Sequence, residues 1–200
     1  MKNGSVCRTG VVVRKTKETD ISVKFSIDGI GKYDIDTGIP FMDHMLELFA
    51  KHGLFDLEIK AKGDLKVDYH HTVEDLGISL GDAIAKSLGD KRGLRRYGWC
   101  MLPMDESLAV VALDLSGRPF LVYDVKPPAK KIKDLDARLF NEFFQALCVK
   151  AGINMHIQLL KSEEVHHAFE SIFKAFAKSL DQATTLDPRV KDVPSTKGVL

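Results

Sequence analysis

The sequence predicts an α+β fold: an internal duplication of two β-β-α-β-α halves, with two sheets packed on a central layer of helices. Three observations lead there. A pair of adjacent histidines with a glutamate four residues after the first occurs twice, as His70-His71-Thr72-Val73-Glu74 and as His166-His167-Ala168-Phe169-Glu170. The stretch before each motif repeats in texture: Lys51-His52-Gly53 precedes Phe55-Asp56-Leu57-Glu58-Ile59, and Lys150-Ala151-Gly152 precedes Ile153-Asn154-Met155-His156-Ile157. Period-two and period-3.6 segments also follow one another in the same order in both halves. On this alignment His44 corresponds to Glu142, His70 to His166, His71 to His167 and Glu74 to Glu170.

Each element has its own local reason. Ile21, Val23, Phe25 and Ile27 alternate with polar residues, the pattern of a half-buried strand, and Val11-Val12-Val13 is its expected partner. Residues 40–51 read as a short helix with Pro40 in its first turn, where a missing N–H costs nothing. Phe55, Leu57, Ile59 and Ala61 alternate as the next strand. Residues 72–88 form an amphipathic helix with Val73, Leu76, Leu80 and Ile84 inward, closed by Gly89. In the second half, 108–115 and 120–125 are strands around the turn Ser116-Gly117-Arg118-Pro119. Residues 126–133, with Pro127-Pro128 and four lysines, read as a solvated loop. A helix over 136–150, a strand through Ile153, Met155, Ile157 and Leu159, and a long helix over 167–183 complete the repeat. Neither half is large enough for a secure core of its own. The expectation is therefore one catalytic domain over residues 1–200, with pseudo-repeats at about 6–90 and 100–184 and a polar tail at 185–200.

Composition narrows the function. The formal net charge of +1 gives no reason to expect nucleic acid or an acidic membrane as partner. No apolar run approaches the ~20 residues that span a bilayer, and Met1-Lys2-Asn3-Gly4-Ser5 lacks the apolar core of a signal peptide. Cys7, Cys100 and Cys148 are odd in number and far apart, which fits reduced thiols in a cytoplasmic protein.

Four of the seven histidines lie in the two repeated motifs. A histidine and a glutamate four residues on share one face of a helix. The neighbouring histidine points about 100° away, so two motifs suggest two metal sites that share ligands. His44, Glu142, His70, His71, Glu74, His166, His167 and Glu170 are the candidate ligands. Imidazole and carboxylate without thiolate suit Mn2+, Fe2+ or Zn2+, and several carboxylates with an octahedral preference favour Mn2+. A second, dispersed group is cationic: Arg96, Arg118, Lys174 and Lys197. Ser195-Thr196-Lys197-Gly198 offers hydroxyls, an ammonium and a glycine-flanked backbone, the components of an anion site. By composition alone these cations read equally as surface charge, Glu18 as a turn residue and His52 as a cation at a helix C-terminus. Asp43 reads as a partner of His44 or as a cap. Asp64, Asp68, Asp75, Asp105 and Glu106 read as turns or caps.

Taken together, Arg14-Lys15-Thr16-Lys17-Glu18-Thr19, Asp43-His44-Met45-Leu46, His52-Gly53, Asp68-Tyr69-His70-His71-Thr72-Val73-Glu74-Asp75, Arg96-Tyr97-Gly98, Met104-Asp105-Glu106, Asp114-Leu115-Ser116-Gly117-Arg118-Pro119, His166-His167 through Phe173-Lys174-Ala175, and Pro194-Ser195-Thr196-Lys197-Gly198 resemble the imidazoleglycerol-phosphate dehydratases of histidine biosynthesis, in their monofunctional form. The resemblance implies removal of water from imidazole glycerol phosphate to give imidazole acetol phosphate. It further implies two Mn2+ per subunit and a homo-24-mer with active sites between subunits. One metal would take His44, His71, His166 and Glu170; the other would take His70, Glu74, Glu142 and His167. Arg96, Arg118, Ser195, Thr196 and Lys197 would hold the substrate phosphate, with Lys174 nearby. Glu18 and His52 would reach the substrate from the rim, and Glu18 and Glu74 are the two carboxylates placed to move a proton.

Without the resemblance, a dinuclear metallohydrolase acting on a small phosphorylated substrate fits the same ligands. A ferritin-like di-iron protein fits worse, because that class carries Glu-x-x-His on four long helices, whereas here the order is reversed and strands intervene. A non-enzymatic metal-binding assembly would leave Arg118 and the Ser195-Thr196-Lys197 segment without a task.

Overall fold

In the computed structural model the described residues are 7–198 and 200, so Met1-Lys2-Asn3-Gly4-Ser5 lies outside them. The first half contains strands β1 (Thr9–Lys15), β2 (Thr19–Ser26) and β3 (Tyr33–Asp36), helix α1 (Pro40–Gly53), β4 (Asp56–Gly63) and helix α2 (His70–Leu88). The second contains β5 (Tyr97–Met104), β6 (Ser107–Asp114), β7 (Phe120–Asp124), the short pair β8 (Lys131–Ile132) and β9 (Leu135–Asp136), helix α3 (Leu139–Ala151), β10 (Asn154–Lys161) and helix α4 (Val165–Thr184).

The duplication is visible in the sheets. One has the order β1-β2-β4-β3 and the other β5-β6-β10-β7. In each, the first two pairings are antiparallel and the last is parallel. The expected β-β-α-β-α half is therefore corrected to β-β-β-α-β-α. In the first half the missed strand is β3, whose Tyr-Asp-Ile-Asp sequence is short and mostly exposed. In the second it is β5, so 108–115 and 120–125 are the second and third strands rather than the first and second. Strand β5 hid because its outward residues Tyr97, Trp99 and Met101 are apolar yet exposed, which erases the alternation. Its Pro103 is tolerated because β5 lies at the sheet edge.

The four helices lie between the sheets. Helix α2 packs on β1 and β2, α4 on β5 and β6, α2 against α3, and α1 against α4. Gly10 of β1 and Gly98 of β5 take matching places: a Cβ at Gly10 would collide with the Ala83 carbonyl of α2, and one at Gly98 with the Ser179 carbonyl of α4. Only glycine lets each edge strand come that close to its helix. Aromatic rings tie the halves together inside this layer. Phe49 of α1 stacks on Phe176 of α4 at 4.9 Å, and Phe41 of α1 meets Phe140 of α3 edge-on at 6.1 Å.

Two further expectations change. Part of the loop expected over 126–133 is ordered, because β8 pairs with β9 and Leu135 is buried beneath the turn. Asp136 accordingly belongs to β9, and α3 starts three residues later than expected. The polar tail is anchored. Asp187 N–H donates to Gly93 O, and Gly93 N–H to Asp192 O, pinning it beside the approach to β5. Cys7, Cys100 and Cys148 are all free. Among the described residues, no helix is long and apolar enough to cross a membrane.

Candidate metal centre and anion pocket

Both histidine pairs fall inside the first turn of a helix, α2 or α4, because those helices begin at His70 and Val165 rather than two residues later. Glu164 caps α4 by accepting the His167 N–H at 2.9 Å. Helix α1 then brings His44 across to α4. His44 Nε2 and His166 Nε2 each lie 3.1 Å from Glu170 Oε1. Phe41 packs edge-on against both rings and buttresses them. Glu170 is buried, and its second oxygen accepts from Lys174 Nζ one turn on. Burial pushes the Glu170 carboxyl up, but Lys174, His44 and His166 outweigh it and hold the group down to about 2. The three donor atoms lie within 4.8 Å of one another, the only such cluster among the described residues. Two imidazole nitrogens and an ionised carboxylate oxygen converging on one point fit a divalent transition metal.

The other candidate ligands stand apart within one chain. His70 Nε2 faces Glu74 at 3.6 Å on α2. His71 is not beside His44; its Nδ1 is 3.0 Å from Asp64 and its Nε2 is 3.8 Å from Glu18 Oε1. His167 holds Glu106 through Nδ1 at 2.8 Å, and its Nε2 lies 3.8 Å from Asp105 Oδ2. Glu142 lines a separate cleft with Tyr123, Arg138 and Asn141. A single chain thus presents one three-donor cluster and several partial sets that face outward.

Glu18 is exposed in the β1–β2 turn, held there by the Thr16 hydroxyl. His52, in the last turn of α1, has its imidazole pKa lowered by burial and by the charges of Lys174 and Lys178. Asp43 does not touch His44; it accepts from the Thr37 backbone and hydroxyl ahead of α1.

The cationic group separates in two. Arg96, Arg118, Ser195, Thr196 and Lys197 line one hollow beside Tyr97 and Pro194. Lys174 is not among them, because it is committed to Glu170. Within the hollow Arg96 is already engaged: its guanidinium grips Asp114 at 2.6 and 3.0 Å and donates to Pro194 O. Its backbone has φ 72°, a left-handed value that a non-glycine residue keeps only when its surroundings enforce it. The Asp114 clamp and the tail provide that enforcement, and leave Arg118 as the freer cation.

Asp64 and Glu106, which by sequence read only as turns or caps, instead hold the rings of His71 and His167. The available signal was weak: both are acids at strand ends, as at many turns that bind nothing. Asp75 does serve structure, tying Arg14 and Thr19 to α2.

Known proteins resemble this chain along most of its length. The family model for imidazoleglycerol-phosphate dehydratase matches residues 37–180. The chain is 53% identical over 193 residues to the imidazoleglycerol-phosphate dehydratase of Geobacter metallireducens, covering 96% of this chain and 99% of that one. It is 55% identical over 189 residues to that of Acetivibrio thermocellus, covering 94% and 97%. Among solved structures, it is similar to the enzyme of Staphylococcus aureus with a TM-score of 0.81 at 36% identity, covering 90% of this chain and 99% of that one. The Pyrococcus furiosus structure gives a TM-score of 0.81 at 35% identity, covering 94% and 100%.

Proposed function

The chain belongs to the imidazoleglycerol-phosphate dehydratase family of histidine biosynthesis, and from that premise we propose that it dehydrates imidazole glycerol phosphate to imidazole acetol phosphate as a two-metal, Mn2+-dependent assembly in the cytoplasm. The observation that carries the metal dependence is the convergence of His44, His166 and Glu170 on one point. When bound there, a metal would supply Lewis-acid polarisation of the substrate imidazole and a template for its orientation. The dinuclear metallohydrolase reading gives way to the family membership.

In this reading His71 of a second copy joins His44, His166 and Glu170, and the set His70, Glu74, Glu142 and His167 is likewise completed from more than one copy. Support comes from the separation of these donors within one chain and from the apolar faces left open on the two edge strands. Val11 and Val13 on β1, and Tyr97, Trp99 and Met101 on β5, are more than half exposed. Apolar faces of this kind mark surfaces that another chain covers, and a homo-24-mer would bury them symmetrically.

The chain's own residues then divide the work. Arg118, Ser195, Thr196 and Lys197 hold the phosphate, and Arg96, fixed by Asp114, shapes that hollow. The clamp orients the glycerol carbons toward the metals. Glu18, exposed and close to His71 Nε2, takes the poorly acidic C–H proton at a carboxylate oxygen; as the neighbouring C–O bond breaks a C=C (enol) bond forms, and the proton leaves with the departing hydroxyl as water. Glu74 stays beside His70 as a ligand, and His52 borders the site through its place next to Lys174.

Turnover of imidazole glycerol phosphate by metal-stripped protein, before and after Mn2+ is restored, tests this. Activity appearing only with Mn2+ supports it, and equal activity without metal overturns the metal dependence. Light scattering tests the assembly: verified chelation should reduce the particle mass, since shared ligands link metal binding to association.

A further inference from the structure

His71 and His167 occupy the same place in the two halves, each the second histidine of its motif. Each is held through the same ring nitrogen by a carboxylate: His71 Nδ1 by Asp64 at 3.0 Å, and His167 Nδ1 by Glu106 at 2.8 Å. The carboxylates do not come from equivalent places. Asp64 follows β4, whereas Glu106 sits in the β5–β6 turn, the counterpart of the turn that carries Glu18. A contact merely inherited through duplication would use matching loops. Two different loops delivering an acid to the same nitrogen point to a requirement of the ring itself.

On each ring the other nitrogen is left open. The acids facing Nε2, Glu18 and Asp105, stand 3.8 Å away, beyond hydrogen-bonding reach. A carboxylate accepts and cannot donate, so it fixes the proton of a neutral imidazole on Nδ1 and leaves the Nε2 lone pair unprotonated.

We propose that Glu106 and Asp64 are positioning residues that lock His167 and His71 in the Nδ1–H form and turn their Nε2 atoms outward as metal donors. This rests on the reading of both histidines as ligands. The two locks differ in rigidity. Glu106 is fixed on both sides: Oε2 accepts from His167 Nδ1–H, while Oε1 accepts from Ser107 Oγ at 3.0 Å, Glu163 N–H at 3.3 Å and Glu164 N–H at 3.1 Å. In Asp64 the second oxygen, Oδ1, is buried with no partner.

That asymmetry gives the test. In Glu106→Gln the amide oxygen must stay on the backbone N–H groups, because an NH2 there would face donors. Its NH2 then points at His167 Nδ1, which forces the ring proton onto Nε2 and removes the donor without changing the shape of the site. In Asp64→Asn nothing holds the second position, so the amide can rotate and present its oxygen to His71. Mn2+ affinity is measured by the electron paramagnetic resonance signal of free Mn2+ during titration of intact assembled protein. Glu106→Gln is expected to weaken one class of sites about 10–100-fold, and Asp64→Asn to weaken binding much less. Folded Glu106→Gln with wild-type affinity overturns the proposal. Wild-type protein that binds no Mn2+ overturns the ligand reading instead. Should Glu106→Gln fail to fold, solid-state 15N spectra of histidine-labelled, metal-free wild-type protein at alkaline pH decide. Rings protonated at Nδ1 for both residues support the lock, and an Nε2–H form of His167 refutes it.

Discussion

His44 Nε2 lies 3.1 Å from Glu170 Oε1 although the two residues are 126 positions apart in the chain. Helices α1 and α4 make that meeting, and His166 joins it from one turn before Glu170 on α4. Replacing Glu170 by Gln keeps the shape and removes the charge on which both rings converge. Mn2+ affinity at this site should fall by at least about tenfold, and loss of bound metal after dialysis measures it. Full retention of both metals by the variant would exclude Glu170 as a ligand.

Glu18→Gln should separate chemistry from metal binding. The side chain is exposed in a turn and contributes no core contact, so folding and metal content should be unchanged. Turnover should drop by about 10²–10⁴, the usual contribution of a general base. Near-normal turnover would remove Glu18 from the proton-transfer role and leave Glu74 as the remaining carboxylate.

The two arginines of the anion hollow should fail in different ways. The Arg118 guanidinium forms no ion pair among the described residues, so Arg118→Ala should raise KM for the phosphorylated substrate about 10-fold or more with little effect on Tm. Arg96 is clamped to Asp114, with only 12% and 21% of the side chains exposed. Arg96→Ala strands that carboxylate and should cost about 2 kcal/mol of stability, read by chemical denaturation. Equal thermal stability of the two variants would contradict this division.

Asp56 gives a pH prediction far from the metal ligands. Its Oδ1 accepts the Ile30 and Lys32 N–H groups at 2.9 and 3.0 Å and fastens the loop before β3. Burial pushes its pKa up, but those backbone donors outweigh it, so the net shift is downward from 3.8. A depressed carboxylate contributes stability above its unfolded value and loses it as the pH falls below that value. Asp56→Ala should therefore be about 1 kcal/mol less stable than wild type at pH 7, with the gap closing below pH 3.8. Urea unfolding at both ends of the range measures it, and a constant gap would show that charge plays no part.

Periodicity was enough to place the four helices, because the spacing of apolar residues on a helix is a local property. The repeated histidine pairs likewise showed which helices carry the donors and that the chain is duplicated. Edge strands were less legible. Strand β3 is stabilised by its pairing with β4 and β5 by its pairing with β6, rather than by an alternating pattern of their own.

The sequence by itself thus determined the duplicated α+β plan, the helices that bear the histidines and the chemical types of the candidate ligands. Only the tertiary structure decided which donors meet. It set His44 and His166 around Glu170, placed Asp64 and Glu106 on the Nδ1 atoms of His71 and His167, and gathered Arg118 with the Ser195-Thr196-Lys197 segment. The physical reason is that side-chain periodicity is written within a few residues, whereas an ion pair or a ligand cluster depends on where distant strands and helices pack. The acids that hold His71 and His167 came from two different loops, and nothing in the local pattern of either loop distinguishes them from ordinary turns.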